Sequence, residues 1–128
     1  MEAQGDLVVA DFEAGLGTLS RMKAGQLDVL VVVAEPTAKA VEVASRAVAM
    51  IREGSVGRAV VVANRVQGDE DTALIARGFA GTDVIVVPDD PAIRAADAQG
   101  GAPFDLAPDS PAVRAVSALA GALLSNHS

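Results

Sequence analysis

Asp6-Leu7-Val8-Val9-Ala10-Asp11-Phe12-Glu13-Ala14-Gly15-Leu16 is an apolar run that ends on a carboxylate and breaks at once into a glycine-bearing turn. Leu7 to Ala10 is apolar on both faces, which suits a strand covered on each side rather than one with a wet face. Three later apolar runs, Val29 to Ala34, Ala59 to Ala63 and Val84 to Val87, also end on polar groups. Side chains at the carboxyl ends of parallel strands converge on one crevice. Asp11, Glu35, Asn64 and Asp89 are therefore expected at a single edge of a sheet, and that edge is where function is expected.

The segments between the runs read as crossovers. Gly15, Gly17 and Gly25 bracket a stretch in which Leu16, Leu19 and Met22 have helical spacing, but each interior glycine weakens a helix by about 1 kcal/mol relative to Ala. Glu35-Pro36-Thr37 turns the second run into the most regular helix, which ends near Glu53 and buries Val41, Ala44, Val48 and Ile51. Its opposite face carries Lys39, Glu42 and Arg46 at spacings that give ion pairs on a solvated surface. Asp69-Glu70-Asp71 opens a short helix stopped by Gly78, its acidic residues suiting the helix dipole. Asp90 is a natural N-cap with Pro91 at the first helical position, and Gly100-Gly101 closes that helix. Ser110-Pro111 repeats the start signal, and Val113, Val116, Leu119, Ala120 and Leu123 give the terminal helix an apolar face that should lie back across the sheet. The runs start near residues 7, 28, 58 and 83, leaving one crossover in each interval. Right-handed strand-helix units of this kind predict a three-layer α/β sandwich around a mainly parallel sheet of about four strands, as one domain over residues 1–128.

Composition narrows the function. Of the 128 residues 51% are apolar, with three Phe and neither Trp nor Tyr, so the core must be built from Val, Ala, Leu and Ile. A formal charge of −7 speaks against nucleic acid or an anionic membrane surface as the partner, since either requires clustered Lys and Arg. With no cysteine, and one histidine, His127, in a polar tail, no nickel or zinc site is evident. No apolar run approaches the roughly 20 residues of a membrane span and the start of the chain has no leader pattern, so a cytoplasmic protein is expected.

With these residues laid out, the chain resembles the carboxyl-terminal portion of the MinD/ParA-type P-loop ATPases, and within them the CooC-like ATPases of metallocentre maturation. Asp11-Phe12-Glu13-Ala14-Gly15-Leu16, followed by Leu19-Ser20-Arg21, resembles the family's Walker B aspartate and second switch. Val32-Val33-Ala34-Glu35-Pro36-Thr37 is similar to the strand end and helix start that follow. Asn64-Arg65-Val66 resembles the adenine-side Asn-Lys/Arg motif, and Pro88-Asp89-Asp90 with Gly101-Ala102-Pro103 the closing base-side loop. The resemblance implies ATP or ADP as ligand, with Asn64, Arg65, Pro88 and Asp89 on the nucleotide. It also implies Mg²⁺ held through water by Asp11, with Gly15 beside the γ-phosphate as a switch. An asparagine amide offers both donor and acceptor, as adenine requires. Each residue also has a plain structural role open to it: Asp11 can cap a turn, Gly15 can supply backbone freedom, and Asn64 can bond its own loop. Arg21 and Arg65 are surface charges unless a partner or nucleotide meets them.

The chain departs from that family as well. It contains no G-x-x-x-x-G-K-[ST] segment, so the phosphate cradle, its lysine and the magnesium-binding hydroxyl are missing. The Cys-x-Cys metal pair of the CooC-like members has no counterpart, and Thr18 stands where their pattern has histidine. ATP hydrolysis by this chain alone is therefore not expected. In the family the P-loop strand lies between those matching Leu7 to Ala10 and Val29 to Ala34. Its loss predicts that the two pair directly or that another chain donates a strand. Expected partners are a second copy or a polypeptide carrying the P-loop half, with a metalloenzyme client as a further implication. The competing reading is a non-catalytic dimerisation or interaction domain. A phospho-acceptor receiver fits badly, since Asp89-Asp90 follows the last strand rather than the first.

Overall fold

The computed structural model describes residues 7–11, 21, 27–54 and 57–125. Three strands form a parallel sheet in the order β1-β2-β3: β1 (Val29–Ala34), β2 (Arg58–Val66) and β3 (Asp83–Pro88). Helix α1 (Ala38–Gly54) connects β1 to β2, and α2 (Asp69–Arg77) connects β2 to β3. Then come α3 (Pro91–Gln99), the single turn α4 (Pro103–Leu106) and α5 (Pro111–Ser125).

The sheet pairs Val31 with Val60 and Val33 with Val62, and in turn Val62 with Ile85. Alternation along each strand therefore sends Val32, Ala34, Val61, Ala63 and Val84 to one face and Val60, Val62 and Ile85 to the other. On the first face Val41, Ala44 and Val48 of α1 and Ile75 of α2 close a core of nine buried residues that includes Val61, Ala63 and Phe79. On the second face Val62 and Val87 meet Ala112, flanked by Ala115 and Leu119, so α5 does lie back across the sheet. Helices on both faces explain why the strands read as unbroken apolar runs.

Local signals account for most boundaries. The Thr37 hydroxyl accepts from the Ala40 N–H at the start of α1, and Glu42 pairs with Arg46 across one turn of its wet face. Asp71 in the first turn of α2 reaches back to accept the Gln67 N–H at 2.9 Å. Gly100 ends α3 in the left-handed region, φ 75°, with its own and the next N–H bonded back into the helix. Arg52, in the last turn of α1, donates to the Gly81 carbonyl at 3.1 Å and to the Thr82 hydroxyl, tying that helix to the turn before β3.

The expected strand count is corrected. The sheet has three strands among the described residues, not about four. Leu7 to Asp11 adopts no regular structure, and Leu7, Val8 and Val9 are 64%, 86% and 85% exposed. The direct pairing expected between this run and β1 is thus not formed. An apolar run specifies only a willingness to be a strand, and pairing needs a partner edge brought within reach. Gly78 does end α2, as expected. Its φ of −83° is open to any residue, so its conformation does not require glycine. Space does, because a β-carbon there would come within 2.6 Å of the Val41 side chain of α1.

That contrast can be measured by chemical denaturation. Gly78→Ala must displace the Val41 side chain and is expected to cost about 1–3 kcal/mol. At Gly68 the backbone is extended and a β-carbon meets nothing within 4 Å. Gly68→Ala should therefore stay within about 0.5 kcal/mol. Equal effects at the two positions would refute the packing explanation.

Candidate functional site

The carboxyl end of the sheet opens into a cleft of about 520 Å³, framed by the ends of β2 and β3 and by α3, α4 and α5. Its walls are mainly apolar: Val87, Ile93, Phe104, Val113 and Val116, with Phe104 and Val116 at the surface. Asn64, Arg65, Pro88 and Asp89, singled out from the sequence at widely separated positions, all line it. Pro103, from the later Gly101-Ala102-Pro103 stretch, lines it too.

A fault in the sheet aims the polar residues. Pairing between β2 and β3 slips between Ala63 and Val66, and Arg65 takes a left-handed backbone, φ 59°. Non-glycine residues occupy that region at a cost of about 1 kcal/mol, and such strain is retained where surrounding structure imposes it. The turn throws Arg65 outward toward two carboxylates, 3.8 Å from Glu35 and 3.6 Å from Asp89. Glu35, Asn64 and Asp89 thus gather at one edge, as expected.

Asp89 is the centre of this group. Its oxygens accept from Gln67 Nε2 at 3.2 Å and from Arg94 at 3.3 Å, with Arg65 close by, and its own N–H donates to the Val66 carbonyl. The Gln67 hydrogen bond, aided by the Arg94 and Arg65 charges, holds its carboxyl below the usual carboxylate range. Asn64 has no side-chain hydrogen bond among the described residues, so both halves of its amide are available to a ligand. Of its two readings, the one in which it bonds its own loop is not what the structure holds.

Asp90 has a second task that its capping signal did not announce. One oxygen accepts from Ala92 N at 2.9 Å as the α3 cap, and the other accepts from Ala112 N at 3.0 Å in α5. The residue is 7% exposed, and these two backbone donors hold its carboxyl below the ordinary range. A single carboxylate thereby joins two helix starts over the cleft.

Arg94, Gln67, Ile93 and Phe104 were not identified from the sequence. An arginine and an isoleucine on a short helix look like ordinary surface and core positions, and only the tertiary fold turns them toward Asp89 and the cleft. Asp11 is not among the residues that line the cleft. The strand that would carry it is absent, and Asp11 lies exposed at the end of the irregular run. No group of three or more potential ligand side chains gathers among the described residues. Gly15 lies outside the described residues. Neither protein-family models nor curated proteins give a match to this chain.

The bridging role of Asp90 sets an acid dependence. A lowered carboxyl contributes stability above its unfolded pKa, near 3.9, and loses it as pH falls through the folded value. Asparagine has one acceptor oxygen and cannot serve both Ala92 and Ala112. Asp90→Asn should lower the melting temperature by several degrees at neutral pH, and the gap between variant and wild type should close as pH falls below about 4. A gap of constant size through that range would exclude the charged bridge.

Proposed function

We propose that this chain is a nucleotide-binding-type α/β module of the MinD/ParA kind, similar to the CooC-like ATPases, that holds the adenine side of ATP or ADP without hydrolysing it efficiently. The observation that carries this reading is the convergence of Asn64, Arg65, Pro88 and Asp89 on one mainly apolar cleft at the carboxyl edge of a parallel sheet. Sites for flat, apolar ligands have this composition, with apolar walls and a few polar groups that fix orientation. Asn64 would read the exocyclic amine and a ring nitrogen of the base. Asp89 acts through Arg65 and Arg94, since its oxygens already accept from protein donors.

The sequence carries no phosphate-binding loop, so the triphosphate half of such a site would have to come from residues outside it, and Mg²⁺ would arrive with them. Magnesium bound there would neutralise phosphate charge. No helix among the described residues is long and apolar enough to cross a membrane, which is compatible with a cytoplasmic setting for this module.

A second reading, dimerisation or protein interaction, has its own support. Among the described residues β1 pairs with β2 alone, and Val31 and Val33 on its outer face are 38% and 59% exposed. An unpaired apolar edge strand is a template for another strand, here that of a second copy of this chain.

The two readings separate in solution. Titration calorimetry with Mg-ATP and Mg-ADP should give saturable binding at or below the millimolar range, with Asn64→Ala weakening it about tenfold or more, the equivalent of one good hydrogen bond. Absence of any binding at several millimolar would sink the nucleotide reading. For the interaction reading, light scattering at micromolar concentration should give a dimer that Val33→Lys converts to monomer. A wild-type chain that is already monomeric there removes it.

A further inference from the structure

The electrostatics of the cleft go further than its shape. Among the described residues lining it, the cations are Arg65 and Arg94 and the anions are Asp89 and Asp90. Neither cation is free. Arg94 lies 3.3 Å from Asp89, and Arg65 lies between Asp89 at 3.6 Å and Glu35 at 3.8 Å. With Glu35 counted, the rim carries two positive and three negative groups.

The other usual means of holding a phosphate is a helix start, whose unpaired N–H groups and dipole favour an anion. Helices α3 and α5 both begin at this cleft, but the Asp90 carboxylate already accepts from Ala92 N and Ala112 N. The chain supplies its own anion to both helices. A ligand phosphate would have to displace it, in a protein whose formal charge is −7.

Resting on the nucleotide reading, we propose that this cleft is a site for an uncharged purine nucleoside, and that phosphate groups add nothing to its affinity. Recognition then comes from stacking and apolar contact with Ile93, Phe104 and Val116, and from the Asn64 amide. Arg65 and Arg94 are held by Glu35 and Asp89 and do not bind an anion. Such a site would take adenosine, or the nucleoside end of a larger molecule, as readily as ATP.

The test is calorimetric titration of the whole chain with adenosine, AMP, ADP and Mg-ATP at matched ionic strength. The expected dissociation constants agree within about threefold. They should change little between low and high salt, and inorganic pyrophosphate should not compete with adenosine. Arg94→Gln should leave the ratio of ATP to adenosine affinity unchanged. If Mg-ATP binds about tenfold or more tightly than adenosine, or if Arg94→Gln weakens ATP alone, the neutral-site inference fails while the nucleotide reading stands. If none of the four ligands binds, both fail together.

Discussion

The Asp90 carboxylate is the constraint on which the carboxyl end of this protein depends. It is nearly buried, lies two residues past β3, and accepts one backbone N–H from α3 and one from α5. A charged acceptor satisfying donors of two separate helices fixes their relative position as well as their starts. The wall that α5 contributes to the cleft, through Ala112, Val113 and Val116, is set by that bond. The neighbouring Asp89 orders the rim in a similar way, gathering Gln67, Arg65 and Arg94 about one carboxylate. Adjacent aspartates thus divide the work, one facing backbone donors inside the fold and the other facing side chains at its surface.

The parts of this fold that could be read from the sequence were those determined locally. Helix α1 has a repeating apolar stripe, and the buried Val41, Ala44, Val48 and Ile51 are the residues that stripe predicts. The start of α3 at Asp90-Pro91 and its end at Gly100 follow from capping chemistry confined to a few residues. Strand pairing is different in kind. Leu7 to Ala10 has the composition of a buried strand, but a strand exists only through a neighbour, and no periodicity in the run states whether that neighbour is present. Gly78 marks the end of α2 as expected, yet the reason for glycine there lies 37 residues away in Val41, out of reach of any local rule.

The candidate site follows the same division. Asn64, Pro88 and Asp89 could be placed because strand ends of a parallel sheet share an edge whatever the side chains do. Gln67 could not, since it meets Asp89 across 22 residues, just beyond the register slip and the left-handed turn at Arg65, and Arg94 reaches Asp89 only through the course of the chain into α3. A bulge leaves no mark in composition, and arginine is not a residue that advertises a left-handed backbone. The expected place of Asp11 at that edge rested on a strand over Leu7 to Ala10, and that run forms none.

The two buried clusters have unequal sizes, and the cleft belongs to the smaller. Among the described residues the larger cluster takes nine buried residues from β1, β2, α1, α2 and the turn after α2, while the cluster beneath α5 takes three, Val62, Val87 and Ala112. A displacement of α5 that widens the cleft therefore disturbs the three-residue cluster and leaves the larger one intact. Compliance and cohesion reside on opposite sides of the same sheet, so this architecture can loosen its binding wall without loosening its foundation.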